Sequence, residues 1–266
     1  MRRHLAAIFG AVLFGCGTSS SGDVPGSDST LDGDAGTGND GGGGGAVDVT
    51  DTVTVAGGTL KGEIRGSLAV FRGIPYAAPP VGDLRWKPPT AAPAWSGTKE
   101  ATAFGSECVQ QKSGGAEDCL TLNVWAHEGA NAPRHVMVWI HGGGFIEGSG
   151  SLDFYEGSQI ARDTDAVVVT MNYRLGALGF LANDQLVAES PEKVAGNYGL
   201  LDQVFALQWV HDNIAKFGGD PGRVMIFGES AGGASVCALL ATPLARGKFQ
   251  AAAVQSGPCG IFPSLG

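Results

Sequence analysis

A serine framed by glycines, Gly228-Glu229-Ser230-Ala231-Gly232, stands between the apolar run Val224-Met225-Ile226-Phe227 and a small-residue segment able to continue as a helix. A strand, a sharp turn and a helix with serine at the apex push an Oγ clear of a sheet, where it can attack an acyl carbon. The glycines two before and two after leave room where the strand and helix backbones approach. The apex also opens a helix, whose unpaired N–H groups and positive dipole end favour a developing negative charge. Over five residues alone, an ordinary strand-to-helix turn that contains serine reads the same way.

A second stretch supplies a complementary chemistry. Residues 136–140 are a continuous apolar run, which predicts a strand buried on both faces of a mostly parallel sheet. It leads directly into His141-Gly142-Gly143-Gly144, where glycines let bare backbone N–H groups point at a substrate oxygen. A dinucleotide-binding loop is excluded by spacing, because from Gly142 and Gly144 the third position is Glu147.

The elements that must position these two stretches are visible as periodicities. Residues 199–217 carry Leu200, Val204, Leu207, Val210, Ile214 and Phe217 at steps of three and four, predicting a helix with one buried face that Gly218-Gly219 stops. Short apolar runs at 167–170, 224–227 and 251–254 read as strands, and their alternation with helical segments predicts an α/β sheet. Residues 53–55, 59–65 and 68–71 read as short strands joined by glycine turns. The proline-rich stretch that follows, through Trp86, reads as an ordered extended loop.

The amino-terminal part has a different composition. Residues 1–16 join Arg2 and Arg3 to an apolar stretch too short to span a bilayer and end in Leu13-Phe14-Gly15-Cys16, similar to a bacterial lipobox with Cys16 as the lipidated residue. Phe14 departs from the small residue usual there, so secretion without a lipid stands as the alternative. A single lipidated terminus would hold the protein on a membrane surface of the cell envelope. Residues 17–48 are Ser, Thr, Gly and Asp almost throughout, a flexible tether with six aspartates and no basic residue. Of the net charge of −9, Arg2 and Arg3 contribute +2 and the tether −6, which leaves −5 for the folded remainder, residues 49–266. That mild acidity gives no footing for nucleic acid.

Seven blocks in one order resemble the type-B carboxylesterase family, which includes the cholinesterases. They are Phe71-Arg72-Gly73-Ile74-Pro75-Tyr76 running on to Arg85, Glu117-Asp118-Cys119-Leu120-Thr121-Leu122-Asn123, the run into His141-Gly142-Gly143-Gly144-Phe145, Asn172-Tyr173-Arg174-Leu175-Gly176, Gly196-Asn197-Tyr198-Gly199-Leu200-Leu201-Asp202-Gln203, Ala206-Leu207-Gln208-Trp209-Val210-His211, and the elbow with Phe217-Gly218-Gly219-Asp220-Pro221 before it. The resemblance implies an α/β-hydrolase, with a mostly parallel central sheet flanked by helices, an N-terminal antiparallel strand region, and the C-terminal part of the fold missing. It implies Ser230 as nucleophile, Gly143, Gly144 and Ala231 as oxyanion-hole donors, and Glu229 as an acid lining the site. It also implies a Cys108–Cys119 disulfide and structural ion pairs between Arg85 and Glu117 and between Arg174 and Asp202. Cys237 and Cys259 take no partner from the family and read as free thiols. The implied substrate is a small carboxylic ester, and no cofactor or metal is implied. Cholinesterases hold the quaternary ammonium on a tryptophan of the loop within that first disulfide, a cation–π contact. Here residues 109–118 contain no aromatic side chain, so a general carboxylesterase is expected rather than a cholinesterase.

The family's triad runs serine, acid, histidine along the chain. His211 precedes Ser230 and therefore reads as a structural histidine, and after Ser230 these 266 residues contain no Asp, Glu or His. The chain accordingly reads as the nucleophile half of an exported esterase, inactive by itself and ending its sheet in an uncovered edge. Beside that reading stand a truncated remnant without turnover and a catalytically silent binding module of the same fold.

Overall fold

The computed structural model describes residues 47–260. The targeting segment, the lipidation expected at Cys16 and nearly all of the tether lie outside the described residues. Twelve strands appear among the described residues: β1 (Val47–Val49), β2 (Thr52–Val55), β3 (Gly58–Lys61), β4 (Glu63–Arg65), β5 (Leu68–Pro75), β6 (Thr98–Glu100), β7 (Thr121–His127), β8 (Gly129–Asn131), β9 (Arg134–Ile140), β10 (Val167–Met171), β11 (Gly219–Glu229) and β12 (Ala251–Gln255). With them run α1 (Ser158–Thr164), α2 (Gly176–Phe180), α3 (Asp184–Glu189), α4 (Tyr198–Asn213) and α5 (Ala231–Ala241). The first strand starts at Val47, two residues inside the stretch expected to be tether, because Val47 to Val49 pair with β8 and Val49 is buried.

Seven strands form the central sheet in the order β12-β11-β9-β10-β7-β5-β4. The four from β12 to β10 are parallel, and β7, β5 and β4 add antiparallel pairs on the other side. The chain enters the parallel part at β9, steps to β10 on one side, then crosses through α4 to β11 on the other. Strand order therefore reverses at β9. The crevice outside the carboxyl ends of strands at such a reversal is where open α/β sheets bind ligands.

Burial on the two faces is unequal. One face presents Val136, Val138, Ile140, Val169, Val224 and Ile226 to Ala206, Leu207 and Val210 of α4 and to Phe217, all buried in one core. On the opposite face α1 covers β7 and β10 around Trp125 and Val168, but Met137, Trp139 and Met225 remain half-buried. The expectation that 136–140 is buried on both sides thus holds for one side only, since no described helix lies over β9, β11 and β12 there. A cleft of about 430 Å3 opens beside Met137 and Met225. Strand β12 forms the outer edge and is mostly exposed.

The helix expected at 199–217 forms as α4 followed by a tighter turn, Ile214–Phe217, and Gly218 ends it at φ 72°. Its buried stripe differs from the apolar positions in the sequence. Asp202 and Gln203 are buried while Leu200 and Val204 are only partly so. Asp202 is drawn inward by Arg174, which lies beyond the end of β10. The guanidinium donates from Nε to Oδ2 at 2.8 Å and from Nη2 to Oδ1 at 2.7 Å, and the Arg174 backbone N–H donates to Oδ2 at 3.0 Å. Side-chain exposures are 4% and 0%, so both charges depend on each other rather than on water. The second expected pair, Arg85 with Glu117, forms bidentately at 2.6 and 2.7 Å and is partly exposed.

Cys108 and Cys119 are joined in a disulfide with Cα atoms 5.0 Å apart. Cys237 and Cys259, expected as free thiols, are also joined, at 5.3 Å between Cα atoms. The chain leaving β12 folds back over α5, so close that a Cβ on Gly257 would stand 2.6 Å from the backbone of Gly233 and Ala234. That return places Cys259 over Cys237 on the helix.

Replacing Asp202 by Ala leaves the Arg174 charge buried without its carboxylate, an arrangement that costs about 3–5 kcal/mol. Urea denaturation is expected to show a loss of that size, and a change below ~1 kcal/mol would contradict the dependence of α4 on this pair.

Candidate active site

Strand β11 is parallel to β9, with Gly228 opposite Ile140. The turn after β11 and the loop after β9 therefore leave the sheet side by side. Ser230 sits at the apex with φ 56° and ψ −119°, a conformation seldom taken by a residue with a side chain. Its own N–H donates to the Gln255 carbonyl at 2.9 Å, and its carbonyl accepts from Ala234 N–H at 2.9 Å, so the turn is tied to β12 and to α5. Both framing glycines are required by close approach. A Cβ on Gly232 would lie 2.0 Å from the Ile140 carbonyl oxygen, and one on Gly228 would lie 2.6 Å from Gly232 backbone atoms. Ala231 opens α5, where first-turn N–H groups have no helical acceptor.

The loop after β9 is bent by three successive residues with positive φ: Gly143 at 108°, Gly144 at 62° and Phe145 at 63°. Glycine adopts this region freely, whereas Phe145 does so at a cost. The Gly143 carbonyl accepts from the N–H groups of Ile146 and Glu147, both at 3.1 Å. Gly142 is pressed against the elbow, since a Cβ there would stand 2.8 Å from the Glu229 carbonyl oxygen and 3.3 Å from Ser230 Cβ. Gly142, Glu229 and Ser230 thus form one contact, and Gly143 and Gly144 follow immediately at its rim.

Several side chains that sequence reasoning did not single out hold this arrangement. Tyr155 lies against Trp139 and beside Glu229; burial and that carboxylate push its phenol up, and the Gly142 N–H opposes the rise. Gln110, on the disulfide loop, accepts from Gly148 N–H at 2.9 Å and donates to the Gly148 carbonyl at 3.1 Å, bracing the far end of the glycine loop. Lys112 pairs with Glu147 at 2.7 Å. Asn172 accepts from Ser149 Oγ and Gly150 N–H. His141 is fully buried, its Nδ1 2.8 Å from the Gly142 carbonyl, and burial pushes its imidazole down to about 4. Of these, His141 opens the glycine motif and Asn172 falls within a resembling block, while Tyr155, Gln110 and Lys112 belong to no short motif with a chemical reading of its own. His211 lies on the solvent side of α4 against Asp212 at 3.0 Å. Among the described residues no group of three or more His, Cys, Asp or Glu is arranged to hold a metal.

A family model described as the carboxylesterase family matches residues 49–261. The chain belongs to the carboxylesterase family. Among curated carboxylesterase relatives, the chain is 47% identical to the fumonisin B1 esterase of Sphingopyxis macrogoltabida over 208 residues, covering 75% of this chain and 38% of that protein. It is 46% identical to the para-nitrobenzyl esterase of Bacillus subtilis over 215 residues, with 77% and 43% covered. Acetylcholinesterase of Gallus gallus is 44% identical, with 78% and 30% covered. A solved structure titled PNB esterase superposes with a TM-score of 0.73 at 47% identity, over 78% of this chain and 44% of that one. The chain thus spans less than half the length of these relatives.

Two measurements test the site's construction. Gly232→Ala pushes a methyl into the Ile140 carbonyl, and a loss of more than about 2 kcal/mol in urea is expected, as for other overpacked positions; an unchanged midpoint would show that the elbow has slack. Acid should also weaken the fold through His141. With about 4 in the folded state and 6.5 as the ordinary value, the unfolded chain binds the proton more readily between these limits. Stability is full above pH 6.5 and falls as pH drops towards 4, by roughly 3 kcal/mol. His141→Phe is expected to flatten that part of the stability profile.

Proposed function

We propose that this chain supplies the nucleophile and oxyanion hole of a carboxylic-ester hydrolase that works through an acyl-enzyme. The observation that carries the reading is the strained apex of Ser230 set beside the Gly142 loop at the carboxyl ends of two adjacent parallel strands. In the reaction, Ser230 Oγ forms a bond to the ester carbonyl carbon while its proton passes to a base. The carbonyl oxygen becomes an oxyanion received by the N–H groups of Gly143, Gly144 and Ala231. Collapse of the intermediate breaks the bond to the alcohol, which leaves with the proton, and water then releases the acid from Ser230. The acid and base of this scheme lie outside these 266 residues, because no Asp, Glu or His follows Ser230. Glu229, exposed beside Tyr155, lines the approach to the serine.

A general ester substrate fits better than a choline ester. The loop 109–118 has no aromatic side chain, and the cleft of about 690 Å3 beside it is lined by Val109, Ile146, Leu175 and Leu178 with the Lys112–Glu147 pair. Export to the cell envelope is proposed from Arg2, Arg3 and the lipobox-like end at Cys16.

The 266-residue chain alone is expected to hydrolyse p-nitrophenyl acetate no faster than its Ser230→Ala variant. Residues 47–257 fused to the carboxyl-terminal portion of the para-nitrobenzyl esterase are expected to hydrolyse it, with a loss of at least ~1,000-fold on Ser230→Ala. A fusion that melts cooperatively yet shows no Ser230-dependent rate would overturn the proposal.

A further inference from the structure

We infer that His141 and Tyr173 form a positioning clamp that holds the oxyanion loop in its left-handed bend; the inference rests on the proposed roles of Gly143 and Gly144. His141 follows β9 and Tyr173 follows β10, the neighbouring parallel strand, with Ile140 opposite Met171. Their rings stack with centroids 4.3 Å apart and planes 16° from parallel. Two hydrogen bonds then close the unit on the backbone. The Tyr173 hydroxyl donates to the His141 carbonyl at 2.8 Å, and His141 Nδ1 faces the Gly142 carbonyl at 2.8 Å. A carbonyl can only accept, so Nδ1 carries the proton.

The two carbonyls immediately before Gly143 are therefore fixed by one side-chain pair. Once the His141 and Gly142 carbonyls are held, the following N–H groups have little freedom of direction. The far end of the loop returns to the same ring, since a Cβ on Gly148 would stand 2.5 Å from both His141 Nδ1 and the Gly142 carbonyl oxygen. On the other flank the Phe145 carbonyl accepts from Gly176 N–H at 2.7 Å. The bend at Gly143, Gly144 and Phe145 is thus spanned by fixed points, and the imidazole touches both ends. At 1% and 0% exposure neither ring can meet substrate, which makes the pair positioning rather than catalytic.

Hydrogen exchange on the 266-residue chain tests the clamp through the amides of Ile146 and Glu147, which donate to the Gly143 carbonyl, with Leu207 and Val210 of α4 as internal standards. His141→Phe keeps a ring and removes the donor, and Tyr173→Phe keeps the stack and removes the hydroxyl. Each is expected to speed exchange at Ile146 and Glu147 at least ~10-fold relative to the standards. His141→Asn, which returns a donor near the Nδ1 position, is expected to recover much of the protection. In the active fusion, His141→Phe should lower kcat by ~10-fold or more with KM within twofold, since misaligned oxyanion donors act on the transition state. A reporter-to-standard exchange ratio unchanged from the unmutated chain in both Phe variants would overturn the clamp. So would an imidazole spectrum of the unmutated chain with Nδ1 unprotonated, a reading that needs no variant to fold. Ser230→Ala should leave exchange unchanged, so a fusion without esterase activity would count against the serine's role while the exchange data still decide the clamp.

Discussion

The narrow gap between the ends of β9 and β11 governs this molecule. A helix that begins immediately after a strand, against a neighbouring strand, can be accommodated only where side chains are absent from the contact. Gly232 stands against the Ile140 carbonyl, Gly228 against Gly232, and Gly142 against the Glu229 carbonyl. With these approaches in place the serine is forced to the outside of the bend, and its unusual φ and ψ follow from the packing. The strained serine turn here is a by-product of close backbone packing, sustained by a core that buries the same strands from below.

The second layer of organisation is polar. Burying a charge is costly unless it is paired and hydrogen-bonded, and Asp202 takes three donors from Arg174 within 3.0 Å. Burial pushes the Asp202 carboxyl up while the guanidinium's bonds and charge oppose the rise. The pair joins the segment after β10 to α4, and thereby ties Tyr173 to the helix that underlies β11. Asn172, one residue earlier, does similar work for Ser149 and Gly150, and Gln110 does it for Gly148. Consecutive residues 172, 173 and 174 thus support three different parts of the fold, each through side-chain contacts with segments distant in sequence.

Much of this was legible in the sequence where local rules suffice. The elbow, the glycine loop and the apolar strands announce themselves because glycine placement and apolar runs reflect backbone needs within a few residues. The buried face of α4 was only partly legible from spacing: Gln203 falls on the stripe of Leu207 and Val210 but is polar, and Asp202 lies off that stripe yet is buried. The family resemblance proposed the Asp202 partner where periodicity could not. Cys237 and Cys259 were misread because their union depends on the return of the chain after β12, a tertiary event without local trace. The exposed side of β9 escaped notice for a related reason: a strand's own residues do not say which helices lie over it. His141 and Tyr173 appear as members of motifs, yet their stacking is set by the register of two strands.

The bond from Ser230 N–H to the Gln255 carbonyl has a temporal meaning. Strand β12 lies beyond the whole of α5, so the serine's strained turn is not secured when its own residues leave the ribosome. Until β12 docks on β11, that bond is missing and the turn keeps only its tie to α5. A nascent chain therefore completes the hydrogen bonding of this turn only after α5 has been made and β12 has paired beside β11.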